Sequence, residues 1–328
     1  MERQRRIWID QKPFIASVGN GSGYNPCTIG CYQGWVRDKR NPMIHLNYQN
    51  ANDPSVVKAG GEYYMYFTWR TMDRITMIKS RDGEVWTDPQ INFLPQMDLD
   101  WEEEVSQPCV IYKDGIFEMW YTAKRLERSA FEPKISVIAH AVSKDGVTWE
   151  REMEPCFAAE LLWEEYSVSN PGVLYDENIG KYRMWYTAGD SCLQEFIGYA
   201  ESVDGLDWKR VVEKPMMECQ PAHRWERYAV SEPSVVQHGE WFYMVYSGFE
   251  HSTNSRLCFA RSRDGIHWEK HPGNPIITGG KQGWWDGGYT GKASLMFDQG
   301  IWKMWYTGHL HDRTNIGYMT NDRTDLGF

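Results

Sequence analysis

Two stretches of the third repeat decide the fold: Tyr182-Arg-Met-Trp-Tyr-Thr187 and Ser202-Val-Asp-Gly-Leu-Asp-Trp208. The first is an aromatic run closed by a hydroxyl, which reads as a strand. The second sets Asp-Gly between apolar runs, a strong hairpin signal because both residues tolerate positive φ. Each recurs along the chain. The strand returns as Glu62-Tyr-Tyr-Met-Tyr-Phe-Thr68, Phe117-Glu-Met-Trp-Tyr-Thr122, Trp241-Phe-Tyr-Met-Val-Tyr-Ser247 and Trp302-Lys-Met-Trp-Tyr-Thr307. The turn returns as Ser80-Arg-Asp-Gly-Glu-Val-Trp86, Ser143-Lys-Asp-Gly-Val-Thr-Trp149 and Ser262-Arg-Asp-Gly-Ile-His-Trp268. The period is roughly 60 residues, too long for helical repeats.

A third element precedes each pair: Asn52-Asp-Pro54, Ser106-Gln-Pro108, Ser169-Asn-Pro171, Ser231-Glu-Pro233 and Gly291-Lys-Ala293. Pro is tolerated at a strand's first residue, before the ladder begins. Each unit therefore reads strand, strand, hairpin, strand. Five such units predict an all-β, five-bladed propeller of four-stranded antiparallel blades. The chain is expected to be one domain, 1–328, with blades at roughly 52–95, 104–157, 167–217, 229–277 and 288–328. The last unit stops short of a fourth strand. Trp8-Ile-Asp-Gln-Lys-Pro13-Phe-Ile15 is similar to the outer segment from Trp268 to Ile277. An N-terminal strand at 6–15 is thus expected to complete blade 5 and close the ring, which removes two sheet edges. The long connector 16–51 is expected to lie over one face as a wall or lid.

Composition narrows the function. A formal net charge of −10 argues against nucleic acid and against a membrane surface as partner. Charges follow Met1, but no apolar h-region does, so no secretory signal is read. Seven cysteines, odd in number and irregular in spacing, read as reduced thiols of a cytoplasmic protein. Cys27 and Cys31 lack a second ligand pair, and His251, His309 and His311 match no metal motif, so no metal and no cofactor is expected; a structural cation or water could occupy the funnel. Oligomeric state is not legible.

Strand direction sorts the residues by face. The Asp-Gly turns recur in blade after blade and read as architecture. So do Trp101-Glu102, Trp163-Glu164, Trp225-Glu226 and Trp285-Asp286, as struts that pack a Trp and pair its acid. The residues that break the repeat are the candidates for chemistry. Before the inner-strand Pro stand Asp53, Gln107, Asn170, Glu232 and Lys292, which should converge at the axis. Two carboxyls, two amides and an amine are costly to desolvate together. They form either a hydrogen-bonded plug or a site. After the second strands come Arg70, Lys124 and Arg125, Asp190, Glu250 and His251, and His309, a rim able to grip an anion or line a substrate path.

The Asp-Pro start, the Met-Trp-Tyr-Thr strand and the Ser-x-Asp-Gly-x-x-Trp turn together resemble the five-bladed propeller glycosidases, glycoside hydrolase families 43, 32 and 68, with the family 130 phosphorylases. The likeness runs from Trp8 to Phe328. It implies a carbohydrate or sugar-derivative substrate and a first-blade Asp, here Asp53, as base or nucleophile. It also implies acids on blades 2 and 3, where this chain carries Gln107 and Ser169. The nearest substitutes are Glu232 on blade 4 and Glu165 upstream on blade 3. The expectation is a glycosidase with Asp53 as base or nucleophile and Glu232 as acid, on non-adjacent blades and hence at the wider, inverting separation. Two alternatives stand beside it. One is a phosphorylase, or an enzyme of phosphorylated or nucleotide-activated sugars, with phosphate held by Arg70, Lys124, Arg125 and a histidine. The other is a non-catalytic carbohydrate-binding propeller.

Overall fold

The computed structural model describes residues 26–44, 50–90, 93–126, 129, 132, 135–190 and 194–328. Its strands form five antiparallel sheets, four of four strands and one of three. The inner strands are Ala51–Ala59, Glu104–Lys113, Val168–Asp176, Ala229–His238 and Tyr289–Asp298. Each pairs with an aromatic second strand, Glu62–Trp69, Ile116–Lys124, Lys181–Asp190, Trp241–His251 or Ile301–Leu310, and that with a third. In blade 1 the outer edge is a looser segment, in which Phe93 bridges Ile75. The protein is a five-bladed propeller. Its core lies between blades, where Trp120, Trp185, Trp302 and Trp305 are fully buried.

Ring closure uses a strand from the other end of the chain. Val36–Arg37 pairs antiparallel with Arg313–Asn321, the third strand of blade 5. The segment 6–15, expected in this role, lies outside the described residues, as does part of the connector 16–51.

The recurring acids are struts. Glu102, Glu164, Glu226 and Asp286 are almost wholly buried. Each accepts a hydrogen bond from a second-strand tyrosine: Tyr121, Tyr186, Tyr246 and Tyr306 respectively. Each also binds a cation of the outer strand. Arg151 reaches Glu102 at 2.9 Å, Arg210 reaches Glu164 at 2.8 Å, Lys270 reaches Glu226 at 3.0 Å and Arg37 reaches Asp286 at 2.7 Å. Arg37 thus occupies in blade 5 the place of Arg151, Arg210 and Lys270. Burial pushes the Glu164 carboxyl up, but the Arg210 guanidinium and two main-chain N–H groups outweigh it, and the pKa ends below the ordinary value.

The Asp-Gly turns differ from two-residue hairpins. Only the glycine has positive φ, for example +80° at Gly83. Asp82 Oδ1 accepts the N–H groups of Glu84 and Val85, while Ser80 Oγ accepts that of Gly83. The same arrangement recurs at Asp145, Asp204 and Asp264. The glycine carbonyl then caps an aromatic of the preceding blade. Tyr66 donates to Gly146, Trp120 to Gly205, Trp185 to Gly265 and Trp305 to Gly83. Blade 4 has Val245 in this position, and the blade beyond it has no Asp-Gly turn. The tryptophan and the turn that would receive it are missing together.

Two rings of side-chain stitches, hydroxyls and one thiol, join the blades around the axis. In the deeper ring, Ser55 Oγ accepts the Val110 N–H, Cys109 Sγ that of Val173, Ser234 Oγ that of Leu295 and Ser294 Oγ that of Val56. In the upper ring, the threonine closing the second strand of four blades accepts the N–H of the residue before the next blade's Pro. Thr307 takes Asp53, Thr68 takes Gln107, Thr122 takes Asn170 and Thr187 takes Glu232, at 2.8–3.0 Å. The recurring Thr is therefore an interblade stitch.

Candidate active site

The upper ring is where the inner strands bulge. The pairing register with the second strand shifts at Asn52/Ser55, Ser106/Cys109, Ser231/Ser234 and Gly291/Ala293, and in blade 3 next to Asn170. The extra residue turns toward the axis, as bulges do when they re-aim a side chain. Asp53, Gln107, Asn170 and Glu232 have φ of +57°, +53°, +50° and +60°. That conformation is tolerable for Asp and Asn and uncommon for Gln and Glu. The five residues before the Pro position are thus brought together at the head of the channel. Asp53, Gln107, Asn170 and Lys292 are buried, and Glu232 keeps partial access to the funnel. Asp53 Oδ2, Gln107 Oε1 and Asn170 Oδ1 have no hydrogen-bond partner among the described residues. Three unmet acceptors on three neighbouring blades suit a ligand rich in hydroxyl donors. Below them an axial cavity of about 470 Å³ runs between the inner strands.

The seam between blades 4 and 5 departs from the ring. Blade 4 ends its second strand in Ser247 rather than Thr, and the Lys292 N–H donates instead to Glu232 Oε2 at 2.6 Å. Ser247 Oγ donates to the same oxygen at 2.5 Å. A β-carbon on Gly291 would stand 3.2 Å from that oxygen, so glycine gives the carboxyl its room. Glu232 replaces a threonine stitch with a carboxyl held by one oxygen. Burial, reinforced by the charge of Asp53, pushes its pKa above the ordinary value despite these two hydrogen bonds and Lys292. Lys292 is shifted down, chiefly by burial.

The rim divides. Arg70 is exposed, and its charge acts on the blade 5 pair Tyr289 and His309, whose rings stack at 3.8 Å. Burial first, and then Arg70, lowers His309 to about 3, so its imidazole is neutral. Tyr289 is raised by burial and by the charge of Glu232. Lys124 and Arg125 are turned to ion pairs with Glu104 at 3.2 Å and Glu132 at 3.6 Å. Glu250 is held by Arg224 at 2.6 Å and approached by Arg227, and His251 is exposed. Asp190 ends the second strand of blade 3. Glu165 is exposed on the blade 3 rim and caps a short 3-10 turn at φ 53°, ψ −110°.

Sequence reading missed Ser247, Tyr289 and Arg256. Arg256 is half-buried at the junction of blades 4 and 5, where its guanidinium reaches the Ser255 carbonyl at 2.8 Å, and burial lowers its pKa. A serine where other blades carry threonine was the available signal for the first. Among the described residues no group of three His, Cys, Asp or Glu side chains could hold a metal ion, and no helix is long and apolar enough to cross a membrane.

The ring of blades thus carries a carboxyl pair, Asp53 and Glu232, at the head of its channel. The match to the family model "Glycosyl hydrolases family 43" spans residues 39–326, and the chain belongs to that family. It is 26% identical over 261 residues to an uncharacterized protein of Mycobacterium tuberculosis (strain CDC 1551 / Oshkosh), covering 74% of this chain and 85% of that protein. It is 31% identical over 121 residues to a 1,2-beta-oligomannan phosphorylase of Thermoanaerobacter sp. (strain X514), covering 34% of this chain and 39% of that protein. Among solved structures, a beta-1,2-mannobiose phosphorylase from Listeria innocua superposes with a TM-score of 0.65 at 14% identity, covering 88% and 97% of the two chains. That likeness is one of fold.

Proposed function

We propose that the protein cleaves a glycosidic bond, with Asp53 as base toward water and Glu232 as general acid. The observation that carries this reading is the rebuilt seam. Glu232 is the one bulge residue whose side chain replaces a structural stitch. With Oε2 occupied by two donors, a proton on Glu232 belongs on Oε1, the oxygen free to meet a leaving group. Burial and the charge of Asp53 raise its pKa, the direction a general acid needs. The two residues sit on non-adjacent blades, which fits a separation with room for a water and an inverting outcome.

A second reading rests on exposed Arg70, whose charge acts on the stacked Tyr289 and His309, and on the similarity to a phosphorylase. In it, phosphate replaces water as the attacking group, and Arg70 supplies its charge partner. The test is a turnover screen against aryl glycosides and oligosaccharides, with and without phosphate. Asp53→Asn is expected to lower turnover at least about 100-fold on any substrate found. Full activity of that variant would sink the assignment. A rate that follows phosphate and falls with Arg70→Ala selects phosphorolysis; a rate indifferent to both selects hydrolysis.

A further inference from the structure

Lys292 is the bulge residue of blade 5 and lacks the positive φ of the other four. Its side chain is 3% exposed. It lines the axial cavity beneath the ring. Its ammonium makes no ion pair and no hydrogen bond with a described residue. A buried ammonium without a direct ion pair is costly to keep charged. The titratable groups whose charge acts on it are, largest first, Cys109 from blade 2, Glu232 from blade 4 and Asp53 from the inner strand of blade 1. The same residue presents its main-chain N–H to Glu232 Oε2.

We infer that Lys292 is a positioning residue for the carboxyl pair: its N–H fixes Glu232 by one oxygen, and its ammonium balances ionised Asp53 across the head of the channel. This rests on the reading of Asp53 and Glu232 given above. With Glu232 protonated, one anion and one cation remain, and the buried ring is neutral. Without the ammonium, Asp53 would be a buried charge with no compensation.

The charge balance can be read without a substrate. Lys292→Met, Lys292→Gln, Asp53→Asn and the Lys292→Met/Asp53→Asn double variant are melted from pH 5 to pH 9. Lys292→Met is expected to lose about 5 °C or more at pH 8, and less at pH 5, where a carboxyl can take a proton. The double variant is expected to recover most of that loss. Should Lys292→Met not fold, Lys292→Gln, which keeps a donor and removes the charge, is compared with its Asp53→Asn double in the same way. A loss that is equal at every pH and is deepened by Asp53→Asn would show a lysine that only fills space, and would overturn the inference.

Activity then separates this inference from the reading beneath it. On a substrate found in the screen, the acid limb of kcat/KM in the lysine variant is expected to move up by about one unit or more. If Asp53→Asn and Glu232→Gln keep full turnover while the thermal coupling persists, the pair is not the catalytic one, yet Lys292 still balances it. If those variants are dead while Lys292→Met shows neither the coupling nor the limb shift, the pair stands and the role of Lys292 falls.

Discussion

Glu232→Gln is expected to leave a folded protein that has lost turnover by about 10²- to 10⁴-fold, the usual span for a general acid. Folding should survive because the carboxamide oxygen of Gln can accept the same two donors, the Lys292 N–H and the Ser247 hydroxyl, so the seam between blades 4 and 5 stays closed. The pH dependence of stability adds a second reading of the same variant. A carboxyl whose folded pKa is raised contributes stability that is present below its unfolded value and is lost as pH rises through the folded one. Glu232 is such a carboxyl. Gln carries no such liability, so the melting temperature of the variant should gain on the parent as pH rises. Leaving groups separate the two roles. An activated aryl glycoside departs with little protonation, so the Glu232→Gln defect should shrink on a dinitrophenyl glycoside and be full on an alkyl one. The Asp53→Asn defect should be the same on both. A Glu232→Gln defect indifferent to the leaving group would remove Glu232 from the acid role.

That candidate was legible because it broke a repeat. Five blades made the position before the Pro comparable, and Asp53, Gln107, Asn170, Glu232 and Lys292 do come together at the axis. The reasons for the repeat itself were less visible. Thr68, Thr122, Thr187 and Thr307 read as strand ends, yet each is a stitch to the next blade, a contact set by tertiary packing. The Asp-Gly turns are structural, yet they are not the two-residue hairpins that the dipeptide suggests. The aspartate side chain instead caps two main-chain N–H groups, so only the glycine needs positive φ. Charge on the rim was easy to see and its destination was not. Lys124 faces Glu104 across a strand pair, and Arg125 is drawn to Glu132, whereas Arg70 makes no ion pair among the described residues. Glu165 and Glu164 are adjacent and look alike in sequence; one is an exposed cap and the other a buried strut.

Hardest to read was the strut that closes the ring, because its partners lie at opposite ends of the chain. Arg37 is buried, and its Nε reaches Asp286 at 2.7 Å and Tyr306 at 3.0 Å, while Nη2 reaches the Thr278 carbonyl at 2.8 Å. Arg37→Met keeps the aliphatic stem and strands Asp286 without a cation. Breaking one side of a buried pair costs about 3–5 kcal/mol, and the melting temperature should fall by several degrees. Asp286→Asn added to Arg37→Met should return part of the loss, since no unpaired charge remains. In blade 3 the equivalent Arg210 lies on a strand that follows its neighbour directly in sequence, whereas Val36–Arg37 must be held against Arg313–Asn321 across the whole length of the chain. Loss of Arg37 should therefore open the seam locally before the propeller unfolds. Hydrogen exchange should quicken along Arg313–Asn321 in Arg37→Met, while Arg210→Met leaves that strand protected. Equal exchange in the two variants would mean that closure depends on the surrounding apolar packing of Trp35 and Met319, and that Arg37 is one strut among equals.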